Sequence, residues 1–323
     1  MKNKKELTTM IQKKYGNMTG LIVQRNGEIL YEQYFNGCNQ NSPIHIYSVT
    51  KSIISILIGI AIDKGYIESV NQTVLSFFPE FEVPVNHNII ETITIKDLLT
   101  MSAPYTYRIA PYIKYFTSTD YVKFSLNLLG GKKENHSFFY TPLIGPDILS
   151  GILVRVTGQS VFDFAHENLF CPLGFQVEKN LIFNNKEEQM AFNQSKTISG
   201  WVNDLSGINT AGWGLSLTTR NLSLIGQLIL NDGTFNHQQI VSKRWLEECF
   251  SEHNRWKKIN KGYGYLWWLI DSSSQIYAAL GDGGNTLYVN KRKNLTISMT
   301  GLFQGKVKDR LEFIETFIEP FID

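Results

Sequence analysis

Ser48-Val49-Thr50-Lys51-Ser52-Ile53-Ile54-Ser55-Ile56-Leu57-Ile58-Gly59-Ile60-Ala61-Ile62 runs from a polar start into a long apolar stretch with no charge after Lys51. The pattern predicts a helix that begins near Ser48, stops at Gly65 and is apolar on every side, hence buried. Residues three apart share a helix face, so the Ser48 hydroxyl and the Lys51 amine meet at the helix mouth. The Ser48 N–H is among the unpaired donors of the first turn, where an oxyanion is stabilised. Lys51 stands at the edge of a dry interior, where desolvation disfavours the ammonium form, and a neutral lysine can accept a proton from a serine. The spacing alone is a weak signal, arising by composition about once in a chain of this length. The bland alternative is a capping serine with a lysine snorkelling to water.

Outward from this helix, Leu7, Met10, Ile11 and Tyr15 recur at helical spacing before Gly16. Leu21-Ile22-Val23 and Ile29-Leu30-Tyr31 flank Asn26-Gly27, a hairpin signal. From about Glu68 to Asn203 short helical patches alternate with loops: Thr94 before Ile95 to Met101, Thr119 before Asp120 to Leu129, Gly145 to Val156, and Val161 to Leu169. Asn221 to Leu230 and a helix capped by Ser242 follow. Strands then return over Tyr263 to Ile270, Ile276 to Leu280, Thr286 to Val289 and Leu295 to Met299, before a last helix through Leu311, Phe313, Ile314, Phe317 and Ile318. This order predicts an α/β fold of the α+β type. One antiparallel sheet is assembled from both ends of the chain with flanking helices, beside an all-helical insertion. The expected division is 1–66 with 205–323 for the sheet domain and 67–204 for the insertion, with the active site between them.

The 323 residues suffice for a large core, and a net charge of +2 without a basic block interleaved with aromatics argues against nucleic acid as a partner. Cys38, Cys171 and Cys249 lie far apart and read as free thiols. Six histidines show no HxxxH pair, His45 reads as a packed imidazole, and neither a metal nor a cofactor is expected. No signal peptide or membrane span is visible, which predicts a cytoplasmic protein. Trp267-Trp268 on a strand should place one indole in the core and the other toward a cleft or helix.

Four further stretches make the sequence less anonymous. Ser48 to Ser52 is followed by Phe138-Phe139-Tyr140, then Leu149-x-Gly151-x-Leu153 leading to Thr157-Gly158, Pro172-Leu173-Gly174, and Gly212-Trp213-Gly214-Leu215-Ser216-Leu217-Thr218. Over about Gly20 to Met299 this set resembles the serine β-lactamase and penicillin-binding-protein superfamily. A tyrosine in the second motif points to the branch of class C β-lactamases, D-alanyl-D-alanine peptidases and related esterases. The resemblance implies Ser48 as nucleophile, Lys51 as base or proton relay and Tyr140 as general acid/base. It places the third motif at Asp282-Gly283-Gly284, read as part of a strand facing the serine and binding substrate. The backbone N–H groups of Ser48 and Asn285 then form the oxyanion hole. The plainer reading of the triplet is a glycine turn between two strands.

Two positions depart from that pattern. Pro142 stands where the family has an asparagine, removing a side-chain amide. Asp282 replaces a lysine or histidine that reads a substrate carboxylate, so it disfavours anionic substrates. The expectation is therefore a serine hydrolase forming an acyl-enzyme on a small or peptide-like ester or amide. A penicillin-binding peptidase or weak β-lactamase is the enzymatic alternative, and a non-catalytic relative binding a peptide or cell-wall fragment the other.

Overall fold

The computed structural model describes residues 3–85, 88–131 and 137–322. Apolar alternation at both ends of the chain produces one sheet. Its N-terminal strands are β1 (Met18–Arg25) and β2 (Glu28–Tyr34), and its C-terminal strands are β3 (Asn254–Trp256), β4 (Lys261–Tyr263), β5 (Trp268–Asp271), β6 (Ile276–Gly281), β7 (Asn285–Asn290) and β8 (Leu295–Gly301). The order is β2-β1-β8-β7-β6-β5-β4-β3, antiparallel throughout, with β1 registered on β8 through pairs such as Leu21↔Met299 and Val23↔Ile297.

One face of the sheet is covered by α1 (Lys4–Lys14) and the C-terminal helical stretch from Arg310 to Ile322. Leu7, Ile11, Phe313, Ile314 and Ile318 bury against Leu21, Val23, Ile297 and Met299. The pairing of first and last helices follows from their matching apolar stripes, and Tyr15 packs on Phe313 with ring centroids 4.6 Å apart. The other face carries α2 (Val49–Asp63) and α4 (Thr219–Leu230). Thirteen of the fifteen α2 residues are buried, as its uniformly apolar sequence requires. Beyond α2 lie the helices of the middle of the chain, chiefly α3 (Ile144–Thr157), whose Ile148, Leu149, Ile152 and Leu153 share one core with α2. α2 is thus the wall between sheet and helices, and its N-terminus opens where the two meet. Cys38, Cys171 and Cys249 are free thiols. Among the described residues no single helix is long and apolar enough to cross a membrane.

Some local expectations are corrected. Tyr263 to Ile270 is not one strand but a hairpin, β4 and β5, folded at Gly264 to Trp267. Leu266 takes φ +60° there, its N–H reaches Leu99 O at 2.9 Å and its carbonyl accepts the Ser52 hydroxyl at 2.7 Å. These tertiary contacts outweigh the β-propensity of the aromatic run. Asp120, rather than Thr119, caps the helix Tyr121–Leu126 by accepting from Lys123 N–H. The triplet Asp282–Gly284 is a one-turn 3-10 segment between β6 and β7, not strand, because Gly283 and Gly284 adopt φ +75° and +79°.

Candidate active site

Three pieces of chain converge at the N-terminus of α2. Ile44–His45 pairs with Ser216–Leu217 in a short antiparallel ladder, and the chain then turns sharply at Tyr47, whose φ of +48° is a strained value for a bulky residue. Ser48 follows with helical φ and ψ and makes no side-chain cap hydrogen bond, so its hydroxyl is not used by the helix. That excludes the capping reading. The hydroxyl instead opens into the cavity that the Tyr140 phenol also lines, near enough to act on the phenol's proton affinity.

Lys51 is buried, 2% exposed, and its Nζ lies 5.3 Å from the Tyr140 ring centroid. Snorkelling to water is therefore excluded too. Its Nζ donates to the Pro142 carbonyl at 3.5 Å. Proline at this position removes a side-chain amide, yet its carbonyl serves as an acceptor for the lysine, a role invisible to a reading that weighed only the lost amide. Burial pushes the Lys51 amine down to about 7, opposed by the carboxylates of Asp282 and Asp147, which raise it. Burial also raises the Tyr140 phenol, the nearby Ser48 hydroxyl lowers it in part, and Asp282 adds to the rise. Tyr140 is thus a neutral phenol near pH 7, while Lys51 is poised to lose its proton there.

β6 delivers the opposite wall. Gly281 packs directly on the turn before α2: a Cβ added to it would lie 2.3 Å from Ile46 O and 3.2 Å from the amide nitrogens of Ser48 and Val49. Only glycine permits this approach. Gly281→Ala is expected to push β6 away and lower kcat for a neutral ester at least about tenfold, with little change in far-UV circular dichroism. Wild-type kcat in this variant would remove β6 from the site.

Asp282, exposed at the rim, follows Gly281. Its charge acts on Lys51, Tyr47, Tyr112 and Tyr140, so it faces the cleft. Gly283 and Gly284 are buried behind it. Asn285 is fully buried; its side-chain amide donates to His45 O, Asp282 O and Gly301 O and its carbonyl accepts from Gly301 N–H, binding the turn to β8 and to the strand before Ser48. Ser48, Tyr140, Trp268, Gly281 and Asp282 line one cavity of about 460 Å³, with Lys261, Lys308 and Arg310 farther along it. Trp268 stands on the cleft side of β5, while Trp267 is buried against Phe250.

His45 takes no part in proton transfer. Its Nε2 accepts from Gly214 N–H at 2.9 Å, leaving Nδ1–H to donate to Asn193 Oδ1 at 2.9 Å, and burial pushes it down to about 3. Sequence reasoning missed Tyr112, whose phenol is within electrostatic reach of Asp282 and Tyr140, and Asp147 behind Lys51. No local pattern marks either, since both reach the site by tertiary folding. Among the described residues no group of three or more His, Cys, Asp or Glu side chains converges as metal ligands do.

A protein-family model described as Beta-lactamase matches residues 12–312. The 6-aminohexanoate-dimer hydrolase of Paenarthrobacter ureafaciens is 22% identical over 300 residues, covering 85% of this chain and 70% of that protein. Among solved structures, a putative 6-aminohexanoate-dimer hydrolase from Bacillus anthracis superposes with a TM-score of 0.73 at 18% identity, covering 98% of this chain and 81% of its own. A family VIII carboxylesterase superposes with a TM-score of 0.70 at 15% identity, covering 98% and 96%.

Proposed function

The chain belongs to the beta-lactamase family, and from that membership and the site geometry we propose that it is a serine hydrolase working through an acyl-enzyme on neutral or cationic amides or esters. The observation that carries this reading is the convergence of Ser48 and Tyr140 on one cavity, with the buried Lys51 amine 5.3 Å from the Tyr140 ring and directed at the Pro142 carbonyl. Ser48 Oγ attacks the substrate carbonyl and its proton passes toward Lys51. Tyr140 bridges nucleophile and leaving group: it gives its phenolic proton to the departing nitrogen or oxygen while the Lys51 ammonium passes it the proton taken from Ser48, so that lysine returns to the amine and tyrosine to the phenol. Water then attacks the ester formed on Ser48.

The oxyanion is held by the Ser48 N–H and a second backbone donor. Sequence expectation put that donor at Asn285. Asn285 lines the same cavity as Ser48, and the contact of Gly281 with the Ser48 amide adds the Asp282 N–H as a second candidate for that donor. The names of the relatives, an amide-type dimer hydrolase and a carboxylesterase, support the substrate class.

Asp282 sets the charge preference. Because Asp282 is exposed at the rim, water screens it, and reversing its sign is worth on the order of a kcal/mol for a carboxylate a few ångströms away at a dielectric close to that of water. Asp282→Lys is expected to raise the acylation rate by a fluorescent penicillin about tenfold relative to a neutral p-nitrophenyl ester. Equal changes for both compounds would show that Asp282 does not read substrate charge.

A further inference from the structure

Lys51 meets its acceptor, the Pro142 carbonyl, through a wall of backbone that the catalytic scheme leaves unexplained. Gly212 forms that wall: a Cβ added there would lie 2.2 Å from Pro142 O and 2.9 Å from Leu143 Cα. The stretch Gly212 to Thr218 is a motif that the proposed chemistry does not use. What fixes it is Asp147, a carboxylate on the first turn of α3 and only 1% exposed. One carboxylate oxygen accepts Ala211 N–H at 2.8 Å and the other accepts the Tyr115 hydroxyl at 2.6 Å. The Trp213 indole N–H donates to the same Tyr115 oxygen at 3.2 Å, so the carboxylate organises both backbone and rings.

We infer that Asp147 is a positioning residue for Lys51, acting through the 211–213 backbone on the Pro142 carbonyl that accepts the Lys51 amine. A buried carboxylate with several donors persists because its removal would strand them. Burial raises the Asp147 carboxyl to about 7, countered by Tyr115 and by the Ala211 and Gly212 amides, with Asp204 adding to the rise. Its ionisation therefore falls in the range where Lys51 must become neutral. The groups that face Lys51 are Asp282 from the β6–β7 turn, Asp147 from α3, and the neutral Tyr140 phenol. Both carboxylates favour the ammonium form, so Asp147 holds the lysine protonated to higher pH than its burial alone would allow.

This inference rests on Lys51 being the base, and the test separates the two. The pH profile of kcat/KM for a neutral p-nitrophenyl ester is measured for the full chain and for Lys51→Ala, Asp147→Asn and Gly212→Ala. Asp147→Asn removes one negative charge, so Lys51 stays neutral to lower pH and the acid limb moves down by about half a pH unit or more. Gly212→Ala displaces the acceptor but leaves every charge in place, so its plateau falls about tenfold with the limb unmoved. If Asp147→Asn does not fold, Tyr115→Phe stands in. Loss of its hydroxyl leaves the Asp147 carboxyl protonated over a wider range and moves the limb in the same direction. An unmoved limb in whichever of these two variants folds, with the wild-type limb absent in Lys51→Ala, overturns the role of Asp147 alone. Persistence of the limb in Lys51→Ala overturns the assignment of the base, and with it this inference.

Discussion

Ser48→Ala is expected to lower kcat/KM for a short-chain p-nitrophenyl ester by about 10⁴-fold or more while moving Tm by less than about 2 °C. The two halves of this expectation have separate causes. The hydroxyl makes no cap hydrogen bond, so α2 loses none of its end contacts, and its buried residues remain in the shared core. The site, by contrast, loses the atom on which the acyl group would be carried, and neither the oxyanion donors nor Tyr140 can replace it. Residual hydrolysis near the wild-type rate would place the nucleophile elsewhere.

Lys51→Ala is expected to cost at least about a hundredfold in kcat and to abolish the dependence of kcat/KM on pH around neutrality. The sign follows from the site. The base must be neutral to act, and desolvation brings the amine down to about 7 against the pull of Asp282 and Asp147. Wild-type kcat/KM for a neutral ester should therefore rise with pH along a limb centred near that value. Tyr140→Phe should lose rate to a similar extent without moving the limb, because the phenol is protonated over the whole interval. A Lys51→Ala enzyme with an unchanged limb would show that another group takes the proton.

Residues whose partners are close in sequence were legible from sequence alone. The apolar period of α2, the Asn26-Gly27 hairpin and the stripes of α1 and the C-terminal helix depend on neighbours one to four residues away, and they form where read, although the last helix runs on through Pro320 to Ile322, past the stop that a proline predicts. The Ser48, Lys51 and Tyr140 set was legible through motif resemblance, and the structure brings these three together. What escaped depends on distant chain. The break at Gly264 to Trp267 is set by Leu99 and Ser52, and the short edge strand β3 pairs only with β4. The function of the Pro142 carbonyl depends on a lysine ninety-one positions earlier. Asn285 reads as a strand residue, yet its amide ties the turn to carbonyls at 45 and 301. Asp147 reads as an acid near the start of an apolar helix, where a carboxylate is unremarkable. Only folding shows it sealed between Tyr115 and Ala211.

The central claim is that Ser48 carries a covalent acyl group during turnover, and the most direct measurement is the site of covalent labelling. The full chain is treated with a fluorophosphonate, digested and mapped by peptide mass spectrometry. In parallel, acid quenching during turnover of a p-nitrophenyl ester captures the acyl-enzyme. One adduct per chain is expected, on Ser48 in both experiments, absent in Ser48→Ala and slowed in Lys51→Ala. An adduct on another residue, or ester hydrolysis that proceeds with Ser48 unlabelled, would contradict it.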